Sequence, residues 1–130
     1  MASIFSKIIA GDIPSYKIAE DEKFYAFLDI SPMAKGHTLV VPKQETDYIF
    51  DLDDTLLSEM SVFTKRVAKA IQQAIPCQRV GAMVIGMEVP HAHIHLIPIS
   101  KESDMSLSNP RLKLEKSEFE EIAQKIREQF

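Results

Sequence analysis

"PHAHIHLIP", residues 90–98, holds three of the chain's four histidines, one at every second position. A β-strand repeats every two residues. Read as a strand, the segment puts His91, His93 and His95 on one face and Ala92, Ile94 and Leu96 on the other. Wound as a helix, it would scatter the rings around its axis. Pro90 and Pro98 bracket the segment and also speak against a helix. The reading is a strand with one face in a core and the other carrying three imidazoles that can donate, accept, coordinate or attack.

The surroundings support a sheet. "RVGAMVIG", residues 79–86, reads as the preceding strand. "HTLVVP", residues 37–42, is almost continuously apolar and belongs in the sheet interior. "SYKIAE" and "KFYAFLDI" are two more short strands around the polar turn "DEK". "DISPMAKG" is a loop, punctuated by Pro32 and Gly36. The clearest helix runs from about Asp53 to Ala74, where Leu56, Leu57, Met60, Phe63, Val67, Ala70, Ile71 and Ala74 recur every three or four residues. Asp51, Asp53 and Asp54 crowd its start, where the helix dipole favours negative charge. Pro76 ends it.

At the amino end, Ile4, Phe5, Ile8 and Ile9 make a helical stripe capped by Ser3 and stopped by Gly11. At the carboxyl end, a polar loop, "KESDMSLSNPRLK", leads to a last helix. Ser117 and Glu120 suggest its capping box, and Phe119, Ile122, Ala123 and Ile126 its apolar face. Short turns between neighbouring strands favour antiparallel pairing. The expected fold is α+β: a mostly antiparallel sheet with a long helix packed on it and flanking N- and C-terminal helices.

The 130 residues suit one domain, 1–130, with no repeats and no linker. Hydrophobic residues make up 45% and charged residues 26%, as in an ordinary globular protein. With a net charge of −4 and no basic run, long nucleic acid is excluded as a partner, though a mononucleotide is not. The single cysteine, Cys77, precludes an internal disulfide and suits a reducing compartment. No apolar run reaches membrane-spanning length, and the amino terminus does not read as a signal peptide. The expectation is a cytoplasmic protein with no membrane partner.

On the residues alone, four readings of the histidine face stay open. It is an exposed polar face; a metal site of the three-histidine kind; a phosphoryl-transfer site, with the middle imidazole as nucleophile and its neighbours as donors to phosphate; or a nucleotide-binding face without turnover.

"HAHIHLIP" resembles the signature of the histidine triad (HIT) family, His-φ-His-φ-His-φ-φ with φ apolar. Residues 3–43, "SIFSKIIAGDIPSYKIAEDEKFYAFLDISPMAKGHTLVVPK", are similar to the amino-terminal half of its Hint branch. The resemblance spans about residues 3–99, and the loop and helix at 100–130 are less diagnostic. It implies a homodimer acting at the α-phosphate of purine nucleotides, typically nucleoside phosphoramidates, without a cofactor. By motif, His93 is the nucleophile that becomes nucleotidylated. His91 and His95 flank it, orient it and contact phosphate, and His37 is a fourth supporting histidine. Asp29 holds the ribose hydroxyls, and Ile4, Phe5, Ile8, Ile13, Phe27 and Ile30 wall the base pocket. The alternatives are a dinucleoside polyphosphate hydrolase and a non-catalytic nucleotide-binding or interaction protein.

The chain departs from the family pattern twice. Many bacterial relatives build a structural zinc site from two amino-terminal cysteines, a histidine after the "VVPK" strand and the first triad histidine. Ser3, Ser6 and Glu45 stand at the first three of those positions, so no structural metal is expected. Before the triad, "GMEV" replaces a Gly-Gln-Ser-Val-like run, and Val80 falls near an upstream Asn position. Glu88 therefore stands where a phosphate-contacting hydroxyl is usual, and three readings stay open: a repulsive carboxylate, a partner for a cationic leaving group, or a solvated charge at a strand edge.

Overall fold

The computed structural model describes residues 2–130. Ser3 caps the first helix, α1 (Ile4–Ile9), its side chain accepting the Ser6 amide. Five strands follow in two groups: β1 (Lys17–Glu20), β2 (Phe24–Leu28) and β3 (Thr38–Pro42), then β4 (Arg79–Met83) and β5 (Ile94–Ile99). The long helix α2 (Asp54–Ala74) joins the groups, and α3 (Lys116–Gln129) closes the chain. All strand pairs are antiparallel, in the order β1-β2-β3-β5-β4. The α+β expectation holds. Among the described residues, no helix is long and apolar enough to cross a membrane.

Asp53 caps α2 by accepting the Leu56 amide at 2.8 Å. Ile75 is already extended, as a residue before proline tends to be. The start of α3 differs from expectation. Glu115 is the N-cap, its amide 3.4 Å from Glu118 Oε1, and Ser117 lies inside the first turn. Two acidic residues at the same spacing compete for the cap two residues earlier, and the hydroxyl gains nothing over them.

The strands alternate between two cores. Phe24, Ala26, Leu28, Val40 and Leu96 face α2 and α3, packing with Met60, Phe63, Val67, Phe119 and Ile126. Tyr25, Phe27, Leu39 and Val41 face the other way and pack with Phe5 and Ile8 of α1. Because β2 and β3 are covered on both sides, every residue in them is buried. That double burial is why "HTLVVP" reads as an unbroken apolar run.

Ala92 and Leu96 enter the α2 core, with Ile94 packed against it, so the predicted division of the histidine segment holds. The hydrogen-bonded strand, however, begins only at Ile94. His91 and His93 lie in the segment leading into β5, which bends at His91. There the His91 amide donates to Val89 O (2.8 Å) and the Ala92 amide to Thr46 O (2.7 Å). Pro90 has no amide to offer a ladder, which helps to delay the pairing.

Candidate active site

His95 sits opposite Leu39 in the β3–β5 register and so faces α1. The His93 ring lies beside it, 5.0 Å between centroids, with the Phe5 ring edge-on to His93 at 5.0 Å. Both histidines line a cleft of about 700 Å³. One end is apolar, made by Ile4, Phe5, Ile8, Ile13, Phe27 and Ile30, and Asp29 lies on its wall. All the predicted base-pocket residues therefore meet in one cavity. Glu88 lines it too, from an exposed position after Gly86. Gly86 has φ +77°, a conformation that side-chain-bearing residues rarely adopt.

Fixed donors and acceptors around the four histidines determine where each ring proton lies. His93 Nδ1 is 2.7 Å from the His91 carbonyl oxygen. A carbonyl only accepts, so Nδ1 carries a proton, and in the neutral ring the free lone pair is on Nε2. His37 Nδ1 accepts the Met33 amide at 3.0 Å, which puts the His37 proton on Nε2. Nε2–H then donates to His95 Nδ1 at 3.0 Å. The proton of His95 is left on Nε2, as a donor available to the cleft that His95 lines.

His37 is wholly buried, and burial holds its pKa down to about 3, with help from His95 and Arg111. Burial likewise lowers His95 to about 4, with smaller contributions from His93 and Arg111. Both rings are neutral at pH 7. The 3.6 Å approach of Asp29 Oδ2 to His37 Nε2 is therefore not an ion pair. Asp29, His37 and His95 do bring ligand atoms within 4.8 Å of one another. A cation on His37 Nε2 would need the ring proton moved to Nδ1, against the Met33 amide, so this cluster is a poor metal site. Folding keeps two imidazoles neutral that take up protons near pH 6.5 when unfolded, so stability is full above that value. It is lost as pH falls from about 6.5 towards 4 and 3, because the unfolded chain binds more protons there. Urea midpoints should fall across this window, and less so in His37→Ala.

Asp29 both shapes a turn and faces the site. Its Oδ1 accepts the Ser31 amide at 2.7 Å, and burial raises its pKa, opposed by the Ser31 bond, Arg111 and His93. Gly36, with φ +95°, leads into His37, and a Cβ there would meet Ile75 Cγ1 at 3.0 Å.

His91 corrects the expectation drawn for it. Its ring is fully buried and not among the residues lining the cleft, so it does not contact phosphate. Nε2 donates to Pro42 O at 2.7 Å, and Nδ1 accepts from Ser3 Oγ at 2.7 Å. His37 also acts from behind the wall, through His95. The three histidines thus play three parts: His93 presents a lone pair, His95 a donor, and His91 a carbonyl that holds His93.

Ser3, Ser6, Glu45 and His91 converge at the end of α1. Glu45 Oε1 accepts the Ser3 amide at 2.6 Å and the Ser6 hydroxyl at 2.7 Å. This set does not fit a zinc ion, because serine hydroxyls are poor ligands and its polar atoms already satisfy one another.

Sequence reasoning missed Arg111 and Leu107, which line the cleft from the loop before α3. Arg111 Nη1 donates to Ser31 O at 2.9 Å, and the Leu112 amide to Pro32 O at 2.9 Å, laying this segment along the 29–33 loop. No spacing signal joins residues so far apart in the chain.

An antiparallel sheet that offers an oriented imidazole nitrogen and a fixed imidazole donor to a half-apolar cleft defines a histidine-centred site for a small anionic ligand. The HIT domain family matches residues 10–102, and the chain belongs to that family, in its Hint-like branch. The adenosine 5'-monophosphoramidase hnt1 of Schizosaccharomyces pombe is 35% identical over 133 residues, covering 98% of this chain and 100% of that protein. A HIT-like protein of Bartonella henselae, crystallised with an unknown ligand, superposes with a TM-score of 0.86 at 32% identity, covering 98% and 96% of the two chains. A zinc-bound histidine triad family protein from Mycobacterium smegmatis gives a TM-score of 0.84 at 28% identity, with 99% and 93% covered.

Proposed function

We propose that this HIT-family hydrolase acts on purine nucleoside phosphoramidates through a covalent nucleotidyl-histidine intermediate. The observation that carries the reading is the His93 Nδ1–His91 O bond, which leaves Nε2 as a nucleophile beside a ring that can donate to phosphate. The apolar end of the cleft suits a purine, and Asp29 suits the ribose hydroxyls. The phosphoramidase relative supports the choice of substrate class.

In the first step the Nε2 lone pair attacks the α-phosphorus. The P–N bond to the amine breaks, and the amine leaves with a proton from solvent. His95 Nε2–H donates to a phosphoryl oxygen as its charge grows. In the second step water attacks phosphorus, the P–Nε2 bond breaks, and the nucleotide leaves as the water's proton returns to solvent. The test is mass spectrometry after rapid mixing with adenosine 5'-monophosphoramidate. A single nucleotidyl adduct, mapped to His93 and decaying as AMP accumulates, is expected. AMP release with no adduct under acid-free quench would refute the covalent step, and binding without release would refute hydrolysis.

A further inference from the structure

Building on the reading of His93 as nucleophile, we propose that Ser3 and Glu45 are positioning residues that set its geometry through His91. The polarity of the contacts runs one way. Glu45 Oε1 takes the Ser3 amide and the Ser6 hydroxyl. Ser3 Oγ accepts the Ser6 amide at 3.0 Å. Its own proton then has two possible acceptors: His91 Nδ1 at 2.7 Å and Ser6 Oγ at 3.4 Å. The shorter bond prevails, since Ser6 Oγ is the more distant and already donates to Glu45. His91 Nδ1 is thereby an acceptor, Nε2 carries the proton, and Pro42 O receives it.

With both ring nitrogens engaged and the ring fully buried, His91 has one tautomer and one orientation. Its carbonyl holds Nδ1–H of His93. The path from Glu45 to the nucleophile thus crosses three hydrogen bonds and the covalent frames of two residues, Ser3 and His91. Glu45 suits the role although it is exposed. The Ser3 amide and the Ser6 hydroxyl hold its pKa down to about 2, so it stays an acceptor across the working range of pH.

Neither Ser3 nor Glu45 is among the residues lining the cleft, so their loss should spare substrate binding and impair turnover. In Ser3→Ala and Glu45→Ala we expect kcat to fall about tenfold with KM within about twofold, the pattern of a misaimed nucleophile. Ser3→Thr, which keeps the hydroxyl, should restore most of kcat. Ring ¹⁵N spectra of the wild-type protein should show His91 protonated at Nε2 and His93 at Nδ1. In Ser3→Ala the His93 signals should move towards a mixture of tautomers, a change that a merely structural role would not cause. The spectra need no substrate, so they test the relay even if the proposed reaction is wrong. Should Ser3→Ala fail to fold, Glu45→Gln, altered only at an exposed side chain, carries the same measurement. Unchanged His91 and His93 signals in the folded variants, or a kcat within twofold of wild type, would overturn the proposal.

Discussion

His93→Ala is expected to lower kcat by on the order of 10⁵-fold, as loss of a covalent nucleophile does elsewhere, and to leave the fold in place. The two effects separate because of where the ring sits. His93 makes one side-chain hydrogen bond, to the carbonyl of His91. It packs edge-on against Phe5, on the side of the sheet away from the main core. Removing it opens space toward a cleft that water already reaches, so the cost is far below that of a sealed cavity. Steady-state assays with adenosine 5'-monophosphoramidate, beside urea denaturation of the same preparation, decide the matter. Activity within tenfold of wild type would place the chemistry on another residue. A collapse of stability would mean that the ring is a core residue first.

Leu96→Ala, three residues further on, should do the reverse. Leu96 is 1% exposed and packs into the core shared with α2 and α3. Truncation deletes three buried carbons where rigid helices and a doubly covered sheet cannot close the gap. The expected loss is about 3 kcal/mol, a large share of a total of roughly 5–15 kcal/mol for a domain. Urea midpoints should fall with an unchanged m-value, and below the midpoint kcat should stay within a few-fold of wild type. If stability barely moved, the alternation of the segment would be wrong. Together the two variants test the opposite faces of one short stretch against each other.

Much of this was readable from spacing alone. Period-two alternation separated the histidines from Ala92, Ile94 and Leu96, and that separation survives even where the strand ladder has not begun. The 3.6-residue recurrence from Leu56 to Ala74 located α2 to within a residue. What escaped has two causes. The cap of α3 was misplaced because Glu115–Glu118 and Ser117–Glu120 present the same spacing, and choosing between them takes backbone geometry. The roles within the triad were blurred because they depend on each ring's partners. Nothing within "HAHIHL" says that His91 meets Pro42 and Ser3, or that His95 meets His37. Arg111 was out of reach for the same reason, its partner Ser31 lying 80 positions away.

The Met33 amide has a wider bearing. Because a peptide N–H cannot be reversed, it gives the whole row from Met33 through His37 to His95 a permanent sense of direction. At His95 the cleft therefore presents the positive end of a dipole, beside the formal charge that Arg111 brings to the same lining. Attraction of that kind is short-ranged and only weakly screened by salt, unlike the longer reach of the Arg111 charge.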